Sequence, residues 1–117
     1  PIEDAKQLRF AICDLENNLV GLIDLFDYDA RNQRAGVGIV ILEKYREKGF
    51  AAEAINRLKT YCKTHLLLHQ LHCEVQESNA KSVALFQKCG FAISGTFAQW
   101  QRTNTGFENV LFLQCLL

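Results

Sequence analysis

The sequence predicts a mixed α+β domain in which helices pack on a twisted, mostly antiparallel sheet with one parallel pair of strands. The first observation is the order of the patterns, which runs as three strands, a helix, a strand, a helix and two strands. The second is that a helix joins two consecutive central strands, because such a crossover makes them parallel. The third is size. The 117 residues are 49% hydrophobic and can bury one core, so residues 1–117 are interpreted as a single domain.

The first three strands are predicted from apolar and β-branched runs at residues 7–14, 19–28 and 35–42. Glu16-Asn17-Asn18 joins the first two as a hairpin, because asparagine tolerates the left-handed conformation of a tight turn. Gly36 and Gly38 are unusual inside a strand. They predict either a bulge or a close approach of a ligand to the backbone.

The first long helix is predicted from residue 49 to about residue 65, where apolar residues recur at helical spacing. Residues 71–76 alternate between apolar and polar types and predict the next strand. Ser78 or Asn79 caps a second helix, and Gly90 takes the left-handed position after its end.

The last two strands are predicted at residues 91–100 and 107–116. The polar sequence Thr103-Asn104-Thr105-Gly106 between them is typical of a hairpin turn. Trp100, at the end of the first of these strands, is expected in the core or in an interface, with stacking on a substrate as the less favoured alternative.

Charge and cysteine content argue against several classes of protein. Thirteen basic and thirteen acidic residues cancel, which disfavours binding to nucleic acid or to an anionic membrane. The five cysteines are odd in number and scattered, so they predict reduced core thiols rather than a disulfide framework, and no metal site is predicted. No apolar run approaches the ~20 residues of a membrane span and no leader pattern occurs, so a cytoplasmic location is expected.

The segment from Ile39 to Ala52 is the most informative part of the sequence. An apolar strand ends in a short basic loop, and this loop at once opens an amphipathic helix. The first N–H groups of a helix lack intrahelical partners and its dipole is positive at that end, so the backbone can bind a diphosphate. Gly49 allows close approach of the ligand. The segment therefore predicts a nucleotide-type cofactor such as coenzyme A.

Two motifs resemble those of the GNAT superfamily of acetyl-coenzyme A-dependent N-acetyltransferases. They are Arg46-x-x-Gly49-x-Ala51 after the apolar strand and the run NAKSVALFQKCGF from Asn79 to Phe91. The resemblance extends from about Arg9 to the C-terminus and is greatest with the branch of spermidine and ribosomal-protein N-terminal acetyltransferases. It implies a GNAT-like fold, acetyl-CoA as cosubstrate, and direct acetyl transfer to a primary amine. The acceptor is then a polyamine, another small amine or a protein N-terminus.

The resemblance also implies where the cofactor binds. The backbone of Ile39, Val40 and Ile41 is expected to pair with the pantetheine arm, with an oxyanion donor near Ile41, in a gap where the strands at 38–42 and 71–76 splay apart. The remaining implied cofactor residues are Arg46, Glu47, Lys48, Gly49, Phe50, Ala51, Asn79 and Phe86. The basic residues that could also approach phosphates are Lys48, Arg57, Lys81 and Lys88.

Two positions depart from the family pattern. Phe86 stands where family members commonly carry a tyrosine that protonates the leaving thiolate, and Gly36 stands where some carry a carboxylate. Since neither residue can move a proton, the resemblance implies a slower or differently equipped enzyme whose catalytic residues are unknown. The candidate replacements are Tyr45, His72, Glu74, Glu77 and Cys89.

Three functions stay open: an N-acetyltransferase, a non-catalytic acyl-CoA-binding module and a self-associating fragment. Family domains begin with a further strand and two helices that wall the acceptor pocket, whereas only residues 1–8 precede the first matched strand here. The wall is therefore expected to be lost or supplied by another subunit, and exposed apolar surface favours a homo-oligomer. The acids that could attract a cationic amine are Asp24, Asp27, Asp29 and Glu43.

Overall fold

The computed structural model describes residues 2–117, which form a six-stranded sheet with its two longer helices on one face. In chain order the elements are α1 (Ile2–Ala5), β1 (Leu8–Cys13), β2 (Leu19–Asp29), β3 (Arg34–Ile41), a 3-10 turn (Glu43–Tyr45), α2 (Phe50–Thr64), β4 (Gln70–Gln76), α3 (Ala80–Lys88), β5 (Ala92–Thr103) and β6 (Gly106–Leu116). The predicted fold class and order of elements are confirmed. The short helix α1 and the 3-10 turn were not predicted.

The strands lie in the order β1-β2-β3-β4-β6-β5, and β3 with β4 is the one parallel pair among the described residues. Helix α2 crosses over between them, which makes them parallel. Their ladder is short: it contains Arg34 with Gln70, Ala35 with Leu71, and Gly36 with His72. Beyond the last pair the two strands run on without pairing each other. The sheet therefore opens into a gap toward the carboxyl ends of β3 and β4.

One face of the sheet packs against α2 and α3 and contains the core. Ile55 on α2, Leu71 on β4 and Leu113 on β6 are fully buried there, and Phe86 on α3 is 4% exposed. Burying a side chain of this size contributes about 1.5–3 kcal/mol, so this layer holds the helices on the sheet. Because side chains alternate along a strand, the even-numbered residues of β3 and β4 lie on the opposite face, here called the open face, together with Leu22, Asp24 and Phe26 of β2.

The hairpin between β1 and β2 follows the predicted turn chemistry. Asn17 has a φ of 65°, in the left-handed region, and the Asp14 carboxylate accepts hydrogen bonds from the N–H groups of Glu16 at 3.0 Å and Asn18 at 2.9 Å. The bonds from the N–H and the side-chain amide of Asn18, together with that from Glu16, favour the ionised form and lower the pKa of Asp14. The turn is therefore stabilised by a local side-chain contact that is lost when this carboxyl is protonated.

The bulge predicted from Gly36 and Gly38 lies on the neighbouring strand. The register between β2 and β3 shifts between Phe26 and Asp29, and Asp27 there has a φ of 49°. The close approach at Gly36 is made by a side chain, because a Cβ at this position would lie 2.3 Å from the Phe26 ring. Gly36 is thus a packing requirement of the fold.

The hairpin of β5 and β6 is confirmed, with two irregularities in β5 that lie between Ile93 and Gly95 and between Phe97 and Gln101. Trp100 is 65% exposed beside the second irregularity, so its placement in the core was wrong, whereas an interface role stays a prediction. Four cysteines are buried as free thiols and Cys13 is exposed. Among residues 2–117, no helix has the length and apolar character needed to cross a membrane.

Candidate active site

The candidate site is the gap between β3 and β4 together with the helix starts at its mouth. Each of the two strands ends at the same edge of the sheet, and each is followed by a loop and a helix, α2 after β3 and α3 after β4. Ligands of parallel sheets bind in the crevice outside the carboxyl ends of diverging strands. The sequence therefore folds two loops and two helix N-termini onto one opening.

The loop before α2 presents a continuous row of unpartnered main-chain donors. Within the described part of the chain, none of the N–H groups of residues 47–52 donates to a protein acceptor, and α2 has no side-chain cap. Glu47 and Gly49 both have positive φ, at 61° and 88°, and a Cβ on Gly49 would meet nothing within 4 Å. Left-handed residues next to a helix start turn successive amides toward one side, which forms an anion-binding concavity.

Arg46 takes a different place from the one predicted for its amide. Its N–H donates to the Glu43 carbonyl at 3.2 Å within the 3-10 turn, and its Nε donates to the Ile41 carbonyl at 2.9 Å. The row of free amides thus begins at Glu47. Arg46 contributes by tying the loop to the end of β3, with its guanidinium exposed at the opening.

The direction of the main-chain groups along β3 decides which of them face the gap. The Leu42 N–H donates to the Val20 carbonyl on β2 at 2.8 Å. Since these groups alternate in direction along a strand, those of Val40 also face β2, and those of Ile39 and Ile41 face the gap. The predicted pairing of β3 with the pantetheine arm therefore involves Ile39 and Ile41, because the main-chain groups of Val40 are turned toward β2.

Helix α3 starts on the other side of the opening. The Asn79 Oδ1 accepts a hydrogen bond from the Ser82 N–H at 3.2 Å, which identifies Asn79 as the helix cap and leaves its amide nitrogen exposed. Lys81 Nζ lies 2.6 Å from Glu47 Oε1 and lowers the pKa of that carboxyl. This ion pair connects the two helix starts across the mouth of the gap.

Phe86 and Cys89 lie in the core. Phe86 packs edge-on against Phe91 with ring centroids 5.1 Å apart, so its burial gives no support to the predicted contact with a cofactor. Cys89 is 2% exposed, and burial raises the pKa of its thiol. Neither side chain supplies a proton at the gap in this structure.

The other candidate proton carriers lie at different places around the gap. Tyr45 packs edge-on against Phe50, with centroids 5.8 Å apart, at the start of α2. Glu77 is exposed in the loop that follows β4. His72 and Glu74 lie on β4 and, as even-numbered residues, on the open face along the gap. Only these last two combine an ionisable side chain with a position on a strand that borders the gap.

The open face also carries a cleft of about 800 Å³ next to the closed end of the gap. The cleft is lined by Lys6, Asp27, Tyr28, Asp29, Ala30, Arg31, Arg34, Gln70, His72, Phe112 and Gln114. Of the acids predicted to attract an amine, Asp27 and Asp29 line it. Asp24 is instead paired with Arg9 at 2.8 Å, and Glu43 lies in the 3-10 turn.

Some of these features were missed by reasoning from the sequence. The free amide of Ala52 follows from the rule that a helix start leaves several N–H groups unpaired, so the pattern contained that information. The contact of Lys81 with Glu47 and the cleft had no local pattern, because each joins residues that are distant in the chain. No group of three or more side chains suited to a metal ion occurs in residues 2–117.

Comparison with protein families places these features in a known context. A family model described as an acetyltransferase (GNAT) domain matches residues 2–92. The chain is 33% identical to the spermidine N(1)-acetyltransferase of Vibrio cholerae serotype O1 over 109 residues, which are 93% of this chain and 63% of that enzyme. It is 30% identical to the Escherichia coli K12 enzyme of the same name, covering 94% of this chain and 59% of that one.

Solved structures agree with these matches. The crystal structure of Vibrio cholerae spermidine N-acetyltransferase in complex with CoA and spermine superposes with a TM-score of 0.92 at 32% identity. The match covers 98% of this chain and 68% of that one. A dodecameric structure of the Vibrio cholerae enzyme gives a TM-score of 0.91. The chain thus spans about two thirds or less of these relatives, and its similarity includes both borders of the gap.

Proposed function

We propose that this chain, which belongs to the acetyltransferase (GNAT) domain family, binds acetyl-coenzyme A and moves its acetyl group to a primary amine. The observation that carries the proposal is the row of unpartnered amides at residues 47–52 beside a gap in the sheet. Amides at a helix start bind phosphate oxygens, and an unpaired strand can hold an extended amide-bearing arm. A diphosphate joined to pantetheine has both of these parts.

The proposed cofactor residues contact different parts of acetyl-CoA. The backbone of Glu47 to Ala51 holds the diphosphate, with the exposed Lys48 available to a phosphate. Ile39 pairs with the arm through its N–H and carbonyl groups and Ile41 through its N–H, since the Ile41 carbonyl already accepts from Arg46 Nε. Asn79 can donate from its amide nitrogen while its oxygen caps α3. The fit of these groups to a cosubstrate with a diphosphate and an amide-rich arm supports acetyl-CoA.

Acetyl transfer from a thioester needs a neutral amine, donors for the oxyanion and a proton for the departing thiolate. The N–H groups of Ile39 and Ile41 are the donors directed into the gap. With Phe86 buried in the core, the thiolate takes its proton from solvent. Loss of an acid of this kind typically costs a hundredfold or more in rate, about 3 kcal/mol, so slow transfer is expected.

The acceptor we propose is a small polyamine, with other small amines and protein N-termini as the alternatives within the same class. Two relatives are named spermidine N(1)-acetyltransferases, and one structural neighbour holds CoA and spermine. The cleft on the open face adjoins the closed end of the gap and includes Asp27 and Asp29. It is the entry point from which an amine reaches the thioester.

The proposal is tested by titrating the chain with coenzyme A while following its thermal melting, and then by supplying radiolabelled acetyl-CoA with a panel of amines. A ligand specific for the native state raises the melting midpoint. 3′-Phosphoadenosine 5′-diphosphate, which keeps the diphosphate and lacks the arm, is the matched control, and a smaller shift is expected with it. An unchanged midpoint with coenzyme A would contradict the proposal.

A second candidate is a non-catalytic acyl-CoA-binding module, and it rests on the burial of Phe86 in place of an acid. This function gives calorimetric binding of acetyl-CoA without transfer to any amine. Turnover by the unchanged chain separates the two functions, because an enzyme transfers acetyl to an amine and a binding module does not. In a pure binding module Phe86→Tyr also leaves turnover at zero.

We also propose that the chain self-associates, as one structural neighbour does in its dodecameric form. Phe10 on the edge strand β1 is 36% exposed, and Trp100 and Phe107 are 65% and 62% exposed at the other end of the sheet. Edge strands with exposed apolar side chains favour pairing with another chain. Light scattering during size-exclusion chromatography would show a monomer if this is wrong.

A further inference from the structure

His72 occupies the point at which the sheet divides. It forms the last pair of the β3 and β4 ladder with Gly36, and the two strands separate from the next residue onward. Gly36 has no side chain, so nothing on β3 stands directly opposite the imidazole on the open face. His72 therefore lies at the closed end of the gap, where an arm that enters from the mouth comes to its end.

The imidazole is held in place by aromatic packing. Its ring stacks on Phe112, with centroids 5.4 Å apart and an interplanar angle of 25°, and it meets Phe26 edge-on at 6.4 Å. In residues 2–117 neither ring nitrogen has a hydrogen-bond partner, and the residue is half-buried. The ring is thus fixed in orientation, and its nitrogens are available to a ligand.

Charged groups on three strands influence the pKa of this imidazole. They are Asp27 from β2, Arg34 from β3 and Glu74 from β4. Burial is the main cause that lowers the pKa of His72 and Arg34 adds to it, while Asp27 and Glu74 act in the opposite direction. At neutral pH the ring is consequently uncharged, and the charges of Asp27 and Glu74 favour its protonated form once it takes a proton.

His72 also lines the cleft on the open face, so it borders both the cleft and the gap. The cleft has mixed charge, because Arg34 and Asp29, which lie 3.6 Å apart, line it together with Lys6, Arg31 and Asp27. Such a lining does not concentrate cations strongly, and an amine that enters it still arrives as an ammonium ion at neutral pH. A proton acceptor is needed where the cleft meets the gap.

We propose that His72 is the general base that removes a proton from the acceptor's ammonium group, an assignment that rests on the proposed acetyl transfer. The ammonium N–H bond breaks and the proton passes to an imidazole nitrogen, which leaves a lone pair on the amine. The amine then forms a C–N bond with the acetyl carbonyl, and the C–S bond breaks. The nitrogen loses its second proton to solvent, the thiolate takes one from solvent, and His72 releases its own.

The test compares His72→Gln and His72→Phe with the control His69→Gln, whose side chain is exposed outside the gap and the cleft. His72→Phe keeps a flat ring between Phe26 and Phe112, so it guards against loss of folding in the first variant. Both His72 variants should lose on the order of a hundredfold in kcat, the usual effect of removing a general base. Binding of coenzyme A and the rate of the control should be unchanged.

The pH profile distinguishes a base from a structural residue. Wild-type activity should fall as the pH drops through the pKa of His72, because the protonated ring accepts no proton, and this limb should vanish in both variants. Wild-type transfer that persists in both variants with the same pH profile overturns the role of His72 alone. A wild-type chain that binds coenzyme A but acetylates no amine overturns the proposed transfer as well.

Discussion

The two ends of the gap between β3 and β4 are built from different chemical groups. The mouth, at residues 47–52, presents main-chain amides, whose positions depend on backbone angles and on very few side chains. The closed end presents side chains, with His72, Phe26 and Phe112 packed together on the open face. A site made of main-chain groups tolerates substitution of its side chains and can go on binding the same ligand. A site made of side chains is altered by every substitution among them.

The largest expected effect comes from removing one amide at the mouth. Ala51→Pro deletes an N–H in the first turn of α2, where proline is tolerated because no intrahelical bond is lost. A hydrogen bond to a charged group contributes about 1.5–3 kcal/mol, so the Kd for coenzyme A should rise about 10-fold to 100-fold. Isothermal titration calorimetry measures it.

Ala51→Gly is the matched control, because it keeps the N–H and removes the methyl group. It should lower the stability of the helix by about 1 kcal/mol and leave the Kd for coenzyme A unchanged. Equal affinity of the proline and glycine variants would show that this amide does not hold the ligand. The mouth would then not be a backbone site.

The second prediction uses two glycines on the same face of β3. A Cβ at Gly36 would lie 2.3 Å from the Phe26 ring, whereas one at Gly38 would lie 3.7 Å from it, an ordinary contact. Gly36→Ala must displace the ring, and overpacking of this kind costs about 1–3 kcal/mol of the free energy of unfolding. Gly38→Ala should be neutral or slightly stabilising, because alanine restricts the unfolded chain.

Denaturant unfolding of both glycine variants checks this difference. The displaced Phe26 also supports His72, so Gly36→Ala should lower the transfer rate as well as the stability. If both variants were equally stable, the closed end would be looser than this packing indicates. The closed end of the gap would then not be a site defined by packed side chains.

The extent to which the sequence predicted each region follows from the same difference. The strands, both long helices and the free amides follow from local patterns such as apolar spacing and the glycine at residue 49, which act within a few residues. The bulge contains no glycine, so no residue type in the sequence predicts the φ of 49° at Asp27. The position of His72 depends on the register of a parallel pair, which tertiary packing sets and no local pattern records.

The smallest expected effect concerns the ion pair that spans the mouth. Lys81 and Glu47 have side chains that are 84% and 70% exposed, so neither should matter much to folding. With a diphosphate between the helix starts, Lys81→Gln leaves the Glu47 carboxylate uncompensated and should weaken binding of coenzyme A a few-fold. Glu47→Gln removes that negative charge and should leave binding equal or tighter. The two substitutions are therefore expected to act in opposite directions.

Varying the salt concentration and the pH provides the control for this last prediction. Both effects should shrink as salt rises, since the Debye length falls to about 8 Å at physiological ionic strength. Because Lys81 lowers the pKa of Glu47, the carboxylate of the unchanged chain stays ionised in mildly acidic solution, and the effect of Glu47→Gln should persist there until the pH falls through that lowered pKa. If both variants weakened binding equally, the pair would act by ordering the loop, and its charges would not meet the ligand.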